Sequence, residues 1–253
     1  MRALIFGRGA MGRAVRDGLE ARGDDVVGAL ARPRGDPARP EPSALAPVDV
    51  AFDFAHGSTV AENVGYALAT GCRTIVIGTT AWTTDRPAVA RAILDAGARA
   101  VAAPTFSVGA VLFGLLSEDA ARMFGRFEAY DPYILEWHRR TKADRPSGTA
   151  LALAERVLPL LPAKRRARLA DGSGAPDADV LEVVALRAGA SPGLHVFGFD
   201  APGESIELRV TARDRSAYVA GALLAAERLL DPAAWPVDWA GMTDFESIVR
   251  AMS

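Results

Sequence analysis

The sequence predicts an α/β fold in two parts: a parallel sheet covered by helices, then a second α+β domain with a mixed sheet. Three observations carry this. Short, nearly continuous apolar runs alternate with longer helical segments through the first part of the chain. A G-x-G-x-x-G stretch separates the first apolar run from the first helix. After about Phe106 the pattern changes to longer strands set off by Gly/Pro turns.

Taken in order, "RALIFG" (2–7), "DVVGAL" (25–30), "VDVAFDF" (48–54), "RTIVIG" (73–78) and "RAVAAP" (99–104) read as strands. Between most of them lie Ala-rich segments with helical spacing: Met11–Arg22, Thr59–Thr70 and Arg86–Gly97. Strands that are apolar on both faces and alternate with helices belong to parallel sheets. Segment 31–47 holds five prolines and reads as a loop, not a helix. In the second part, a helix over Val108–Phe124 precedes a strand at 133–138 and a helix from Gly148 to about Leu158. "DVLEVVALR", "LHVFGF" and "SIELRVTA", within 179–213, then read as an antiparallel or mixed sheet. A last helix, Ser216–Leu230, is amphipathic and is expected to pack back on the first domain. No internal repeat is visible.

With 253 residues the chain is long enough for one large or two modest cores. A formal charge of −2 gives no bulk attraction to nucleic acid or to membranes. Cys72 is the single cysteine, so neither a disulfide framework nor a cysteine metal site is expected, and the reading includes no metal. The N-terminus enters a strand-like run without a signal-peptide pattern, and no apolar run reaches bilayer length. A cytoplasmic enzyme or binding protein is the expectation.

"GRGAMG" (7–12) follows a strand and opens a helix, the context that gives the glycine pattern its meaning. Gly7 permits the turn, Gly9 lets the backbone approach a pyrophosphate, and Gly12 allows close helix–strand packing. With Arg8, Ala10 and Met11 these residues form the expected dinucleotide site of a Rossmann-type domain. Twenty residues past Gly12, where an acid usually takes the ribose hydroxyls, stands Arg32. Arginines there and at Arg8 suit a 2′-phosphate, which favours NADPH over NADH. Gly78, Thr79 and Thr80 end the fourth strand, and Thr105 and Phe106 follow the fifth. Ligands in such sheets bind beyond the strands' carboxyl ends, so both stretches are expected to line the nicotinamide. Ordinary capping by Thr and Ser accounts for the same residue types.

"EWHRRTKADRPSGTA" (136–150) gathers proton donors and anion-binding groups. His138 and Lys142, four residues apart, are expected to share a face. A lysine crowded by Arg139, Arg140 and Arg145 should release its proton more readily than a free one. Ser147, Gly148 and Thr149 precede a helix and offer N–H groups and hydroxyls to a carboxylate. A solvated basic loop ahead of a capped helix is the rival explanation.

The pattern Glu136-x-His138-x-x-x-Lys142-x-Asp144, followed by "PSGTA" 146–150, resembles the signature of the dihydrodipicolinate reductase family. "DFA" (53–55), "GTT" (78–80), "FSVG" (106–109), "LRAGASPGLHVFGF" (186–199) and "ESIEL" (204–208) fall in family order along nearly the whole chain. The resemblance implies hydride transfer from NAD(P)H to a cyclic imine dicarboxylate in lysine and diaminopimelate biosynthesis. It makes His138 a general acid or proton relay and Lys142 a proton donor and substrate ligand. Ser147, Gly148 and Thr149 would hold a substrate carboxylate, and the protein would be a homotetramer joined through second-domain sheets. Arg139 stands where the family commonly has a second histidine, and a guanidinium there still binds a carboxylate. Thr105 replaces a usual Asn, Ala55 and Gly57 replace a usual Ser/Thr and Pro, and the glycine loop is one residue shorter. Those departures bear on cofactor and substrate preference. His56 reads as a surface turn, His195 as a hydrogen-bonded structural residue, and Trp137 as packing.

The expectation is a nucleotide domain from 1–107 and 217–253 and a substrate and oligomerisation domain from 108–216. A reductase of another imine or keto-acid, and a non-catalytic nucleotide sensor, stand as alternatives.

Overall fold

β1 (Arg2–Phe6), β2 (Asp25–Leu30), β3 (Val50–Asp53), β4 (Thr74–Ile77), β5 (Arg99–Ala102) and β11 (Gly241–Thr243) form a parallel sheet in the order β11-β5-β4-β3-β1-β2. The computed structural model describes residues 1–30, 39–172, 174–231, 233–234 and 240–252. Its chain divides into two units, Met1–Val108 with Arg215–Ser253, and Gly109–Asp214.

In the first unit, β1 and β3 are neighbours although β2 lies between them in sequence. The connections therefore reverse direction there, and such a switch point is where parallel sheets of this kind bind ligands. α1 (Ala10–Ala21) follows β1, and α3 (Val60–Ala69) and α4 (Arg86–Asp95) follow β3 and β4. On one face Phe6, Ala51, Ile75, Ile77 and Ala100 pack against Val64, Ala67, Val89 and Ile93. Each such large apolar side chain stabilises the fold by about 1.5–3 kcal/mol when fully buried. α7 (Ser216–Leu230) packs against α1 and β4, returning the chain to this unit as its amphipathic pattern predicts.

Three short elements depart from the expected outline. A single helical turn, α2 (Pro42–Leu45), lies inside the segment read as loop, because a proline at the first helical position needs no N–H partner. α7 is not the last helix: α8 (Phe245–Arg250) follows it, capped by Asp244, whose side chain accepts from the Ser247 N–H at 2.7 Å. β11, three residues beginning with glycine, adds an edge that the sequence does not announce.

The second unit is a mixed sheet in the order β10-β9-β6-β8-β7, with α5 (Val108–Phe124) and α6 (Gly148–Val157). β6 (Asp131–His138) runs parallel to β8 (Val180–Arg187) and antiparallel to β9 (Leu194–Ala201). β10 (Glu204–Thr211) and β7 (Arg166–Leu169) form the edges, and β7 was not expected. Ile134, Leu181, Val183, Phe197 and Phe199 face Phe113, Leu153, Ala154 and Val157 of the helices. Following that face along the strands, the apolar residues give way at one end to Glu136, His138, Arg187 and His195. Strand alternation places these four on the helix-covered side, and register makes them neighbours: His138 pairs with Arg187, and Glu136 with His195.

Candidate functional site

The glycine loop meets the demands of a dinucleotide. Gly7 has φ 104°, and a Cβ there would lie 2.2 Å from the Phe54 carbonyl oxygen; one on Gly12 would lie 1.9 Å from that of Gly7. Both glycines are required by the protein's own packing. At Gly9 a Cβ would meet nothing within 4 Å, so the fold itself does not ask for glycine there. It leaves the backbone at Gly9 open to approach. Gly9 caps α1 without a side-chain hydrogen bond, and the first turn carries no acid, which suits helix N–H groups that bind phosphate. Arg8 and Ala10 are exposed beside it and Met11 is half-buried. The Arg8 guanidinium donates to the Ala29 carbonyl at 3.0 Å, close to the end of β2. Arg32 lies outside the described residues.

Thr79 proves to be an internal brace. Its hydroxyl donates to Asp53 and accepts from the Ala55 N–H at 2.8 Å, while its carbonyl accepts from Trp82 Nε1 at 2.7 Å. Asn63 Nδ2 donates to the other Asp53 oxygen at 3.0 Å. Burial pushes the Asp53 carboxyl above its ordinary value, against the pull of these neutral donors. Gly78 lies against the Phe54 ring, and Thr80 is exposed. Phe106 is a core residue, its ring centroid 5.0 Å from that of Phe245, and the Thr105 hydroxyl accepts from the Ser107 N–H. His56, as expected, sits at an exposed turn, where its Nδ1 caps Ser58.

In the second unit the turn expected to hold a ligand's carboxylate holds one of the protein's own. Glu136, fully buried, accepts the Ser147 N–H at 2.9 Å and Arg187 Nη2 at 2.8 Å on Oε1, and the Ser147 hydroxyl on Oε2. Ser147 also caps α6, accepting from the Ala150 N–H at 3.2 Å. Burial pushes the Glu136 carboxyl up, but the hydrogen bonds from Ser147 and Arg187 outweigh it, and the group ends below the usual range. Gly148 gives a backbone hydrogen bond to Asp144. Of the turn, Gly148 and Thr149 are exposed and Ser147 is buried.

His138 Nδ1 stands 3.3 Å from Glu136 Oε2, a charge contact short of an aligned hydrogen bond. Burial lowers its pKa and Glu136 opposes that; Lys142 and Arg187 lower it further. Lys142 thus lies near His138, but not through a shared face: residues 139–147 form a loop in which the i,i+4 rule has no hold. The arginine crowding expected of Lys142 is also replaced. Its Nζ grips both oxygens of Asp144, at 2.6 and 2.8 Å, while Arg139, Arg140 and Arg145 are exposed.

His195 joins the cluster. Its ring centroid lies 5.1 Å from that of His138 at 71°, and its Nδ1 has no hydrogen-bond partner among the described residues, contrary to the hydrogen-bonded role expected. Burial, then the nearby His138, pull its pKa down to about 4. Glu136, His138 and His195 bring donor atoms within 4.8 Å of one another. Arg187 and Ser147 already hydrogen-bond both oxygens of the carboxylate. The sequence marks Arg187 and His195 only as members of the stretch 186–199; strand register brings them here.

Enzymes that take a hydride from a nicotinamide need two things: backbone for the phosphates and a proton source for the atom the hydride does not reach. This chain offers a candidate for each, the glycine loop and the His138 cluster, and falls in that class of oxidoreductase. Residues 109–245 match the family model described as dihydrodipicolinate reductase, C-terminus. The 4-hydroxy-tetrahydrodipicolinate reductase of Mycolicibacterium vanbaalenii is 33% identical over 240 residues, 90% of this chain and 93% of that one. That of Alkalilimnicola ehrlichii is 33% identical over 89% of this chain and 91% of its own. The dipicolinate-bound dihydrodipicolinate reductase from Paenisporosarcina sp. TG-14 shares the fold, with TM-score 0.76 over 98% of this chain and 99% of that one at 22% identity. The chain belongs to the dihydrodipicolinate reductase family.

Proposed function

We propose that this chain reduces 4-hydroxy-tetrahydrodipicolinate (dihydrodipicolinate) to tetrahydrodipicolinate in lysine and diaminopimelate biosynthesis. The observation that carries the reading is the buried His138 held between Glu136 and His195 with Lys142 beside it, in a chain of this family. A bound dihydronicotinamide supplies the hydride. The N-terminus of α1, with Gly7, Arg8, Gly9, Ala10, Met11 and Gly12, holds its diphosphate, and Gly78, Thr80 and Thr105 approach the ring. Thr79 and Phe106 act from within, by fixing those turns. Arg8, an exposed cation near the end of β2, supports NADPH over NADH, because the adenosine ribose of such folds lies there.

His138 gives a proton to the substrate's ring nitrogen, and Lys142, released from Asp144, assists in binding and proton supply. Arg139 and Thr149 hold the substrate's carboxylates. Ser147 and Gly148 contribute by securing Glu136 and Asp144. NADPH consumption with freshly generated substrate is the direct test. His138→Gln or Lys142→Ala should lower turnover roughly a hundredfold or more, the scale of general acid catalysis. Full turnover in both variants removes the assignment, and a silent wild type with either cofactor removes the reaction.

The working form is a homotetramer joined through the second sheet. Strand alternation turns Tyr133, Leu135 and Trp137 of β6 and Val184 and Leu186 of β8 away from α5 and α6. Trp137 remains 37% and Leu186 47% exposed, a cross-strand pair that favours a second copy of the same sheet. Trp137→Glu with Leu186→Glu should yield smaller species in light scattering; an unchanged mass excludes this face. Cys72, buried and unpaired, accords with a cytoplasmic setting.

A further inference from the structure

We propose that Glu136 is the positioning residue of His138: a fixed carboxylate that keeps one proton on Nδ1, so that Nε2 is the nitrogen that hands its proton to the substrate. The proposal rests on the reading of His138 as proton donor given above.

The geometry on both sides of the ring leads to it. Glu136 Oε2 lies 3.3 Å from Nδ1, close enough for its charge to act on the ring although the two are not aligned as a hydrogen bond. Its carboxylate is anchored by Ser147 through two bonds and by Arg187, and Arg187 also binds the Asp144 carbonyl. An anion so placed selects the tautomer with its proton on Nδ1 and favours the imidazolium, as the acid of a catalytic triad does for its histidine. On the other side, a Cβ on Gly193 would stand 3.1 Å from Nε2, so a residue without a side chain keeps that space clear. His195, edge-on at 5.1 Å, packs beside the ring as an uncharged wall.

The charged and titratable groups around His138 come from every neighbouring element: Glu136 on β6, Arg187 on β8, His195 on β9, and Lys142 and Asp144 from the loop. Among these, Glu136 is the strongest influence favouring the protonated ring, while Lys142 and Arg187 oppose it. In the reaction the 4-hydroxyl leaves as water, hydride adds at that ring carbon, conjugate to the C=N bond, and His138 gives the Nε2 proton to the ring nitrogen. The enamine so formed returns to the cyclic imine of the product. The imidazolium becomes a neutral imidazole that still carries its Nδ1 proton toward Glu136, and water restores the proton at Nε2.

The test is ¹⁵N NMR of histidine-labelled protein, in which only three imidazoles report, paired with the pH dependence of kcat. In wild type the neutral His138 should carry its proton on Nδ1. In Glu136→Gln its titration should move to lower pH by about one unit or more, the scale of a lost opposite charge at this range. The high-pH fall in kcat should move with it, with KM little changed, and Glu136→Asp should restore much of both. Should Glu136→Gln not fold, the double variant Glu136→Gln/Arg187→Met removes both charges and leaves none unpaired. Its titration should still fall, because the favouring charge outweighs the opposing one. An unmoved His138 titration, or an Nε2-protonated neutral ring, overturns the proposal. Full turnover in His138→Gln instead overturns the proton-donor reading, while the NMR shift stands as a separate result.

Discussion

Each unit buries a carboxylate near the end of a central strand, Asp53 on β3 and Glu136 on β6, and the two are driven in opposite directions. Asp53 is met by hydroxyl, amide and backbone donors that carry no charge, so burial wins and its pKa rises. Glu136 is just as buried, but a guanidinium joins the Ser147 donors, and its pKa falls. Burial alone therefore does not set the state of a buried acid; the donors set against it do, at Glu136 the Ser147 hydroxyl first and then Arg187. The first arrangement makes a brace for turns that bear backbone donors. The second makes a permanent anion beside an imidazole.

The sharpest challenge to this contrast is neutralisation of each acid. Glu136→Gln leaves Arg187 buried without its anion and should cost about 3–5 kcal/mol in urea unfolding, the usual loss when one member of a buried pair is removed. Replacing Arg187 by Met at the same time should recover most of that. An equally large loss in the double variant means the pair matters by shape and not by charge.

Acid titration of stability refines the comparison. Glu136, whose folded pKa lies below its unfolded one, contributes stability that is complete above the ordinary carboxylate range and disappears as pH falls through the folded value. Asp53 behaves oppositely. Its folded state binds the proton more tightly, so stability rises as pH falls from the folded value toward the ordinary 3.8. Removing Glu136 should flatten the acid loss, and removing Asp53 should steepen it. Parallel curves contradict the opposite shifts. The smallest effect is expected for Asp53→Asn at neutral pH, within about 1 kcal/mol, the net worth of one hydrogen bond. Asn63 Oδ1, without a partner among the described residues, can accept from the new amide after a side-chain flip.

The two sites differed as much in how far they could be read in advance. The glycine loop announces itself because turn, close packing and phosphate approach each exclude a side chain at fixed spacing. His138 and Lys142 were visible as residue types, but their partners were not. Ser147, expected to meet a ligand's carboxylate, also binds Glu136, which the sequence does not announce; Lys142, expected among arginines, grips Asp144. β7, "RARL", escaped because it is only four residues long and two of them are charged, too short for its alternation to stand out. α8 and β11 are shorter than any periodicity needs.

By itself the sequence determined the parallel sheet, the glycine loop, the second mixed sheet and the class of chemistry, since each leaves a local pattern of period, spacing or residue type. Only the tertiary structure decided that Arg187 and His195 stand beside Glu136 and His138, and that Ser147 at the α6 turn binds Glu136. Those outcomes depend on strand register across β6, β8 and β9, which joins residues about fifty to sixty positions apart. Register is settled by the whole sheet's packing, and no local run of residues records it.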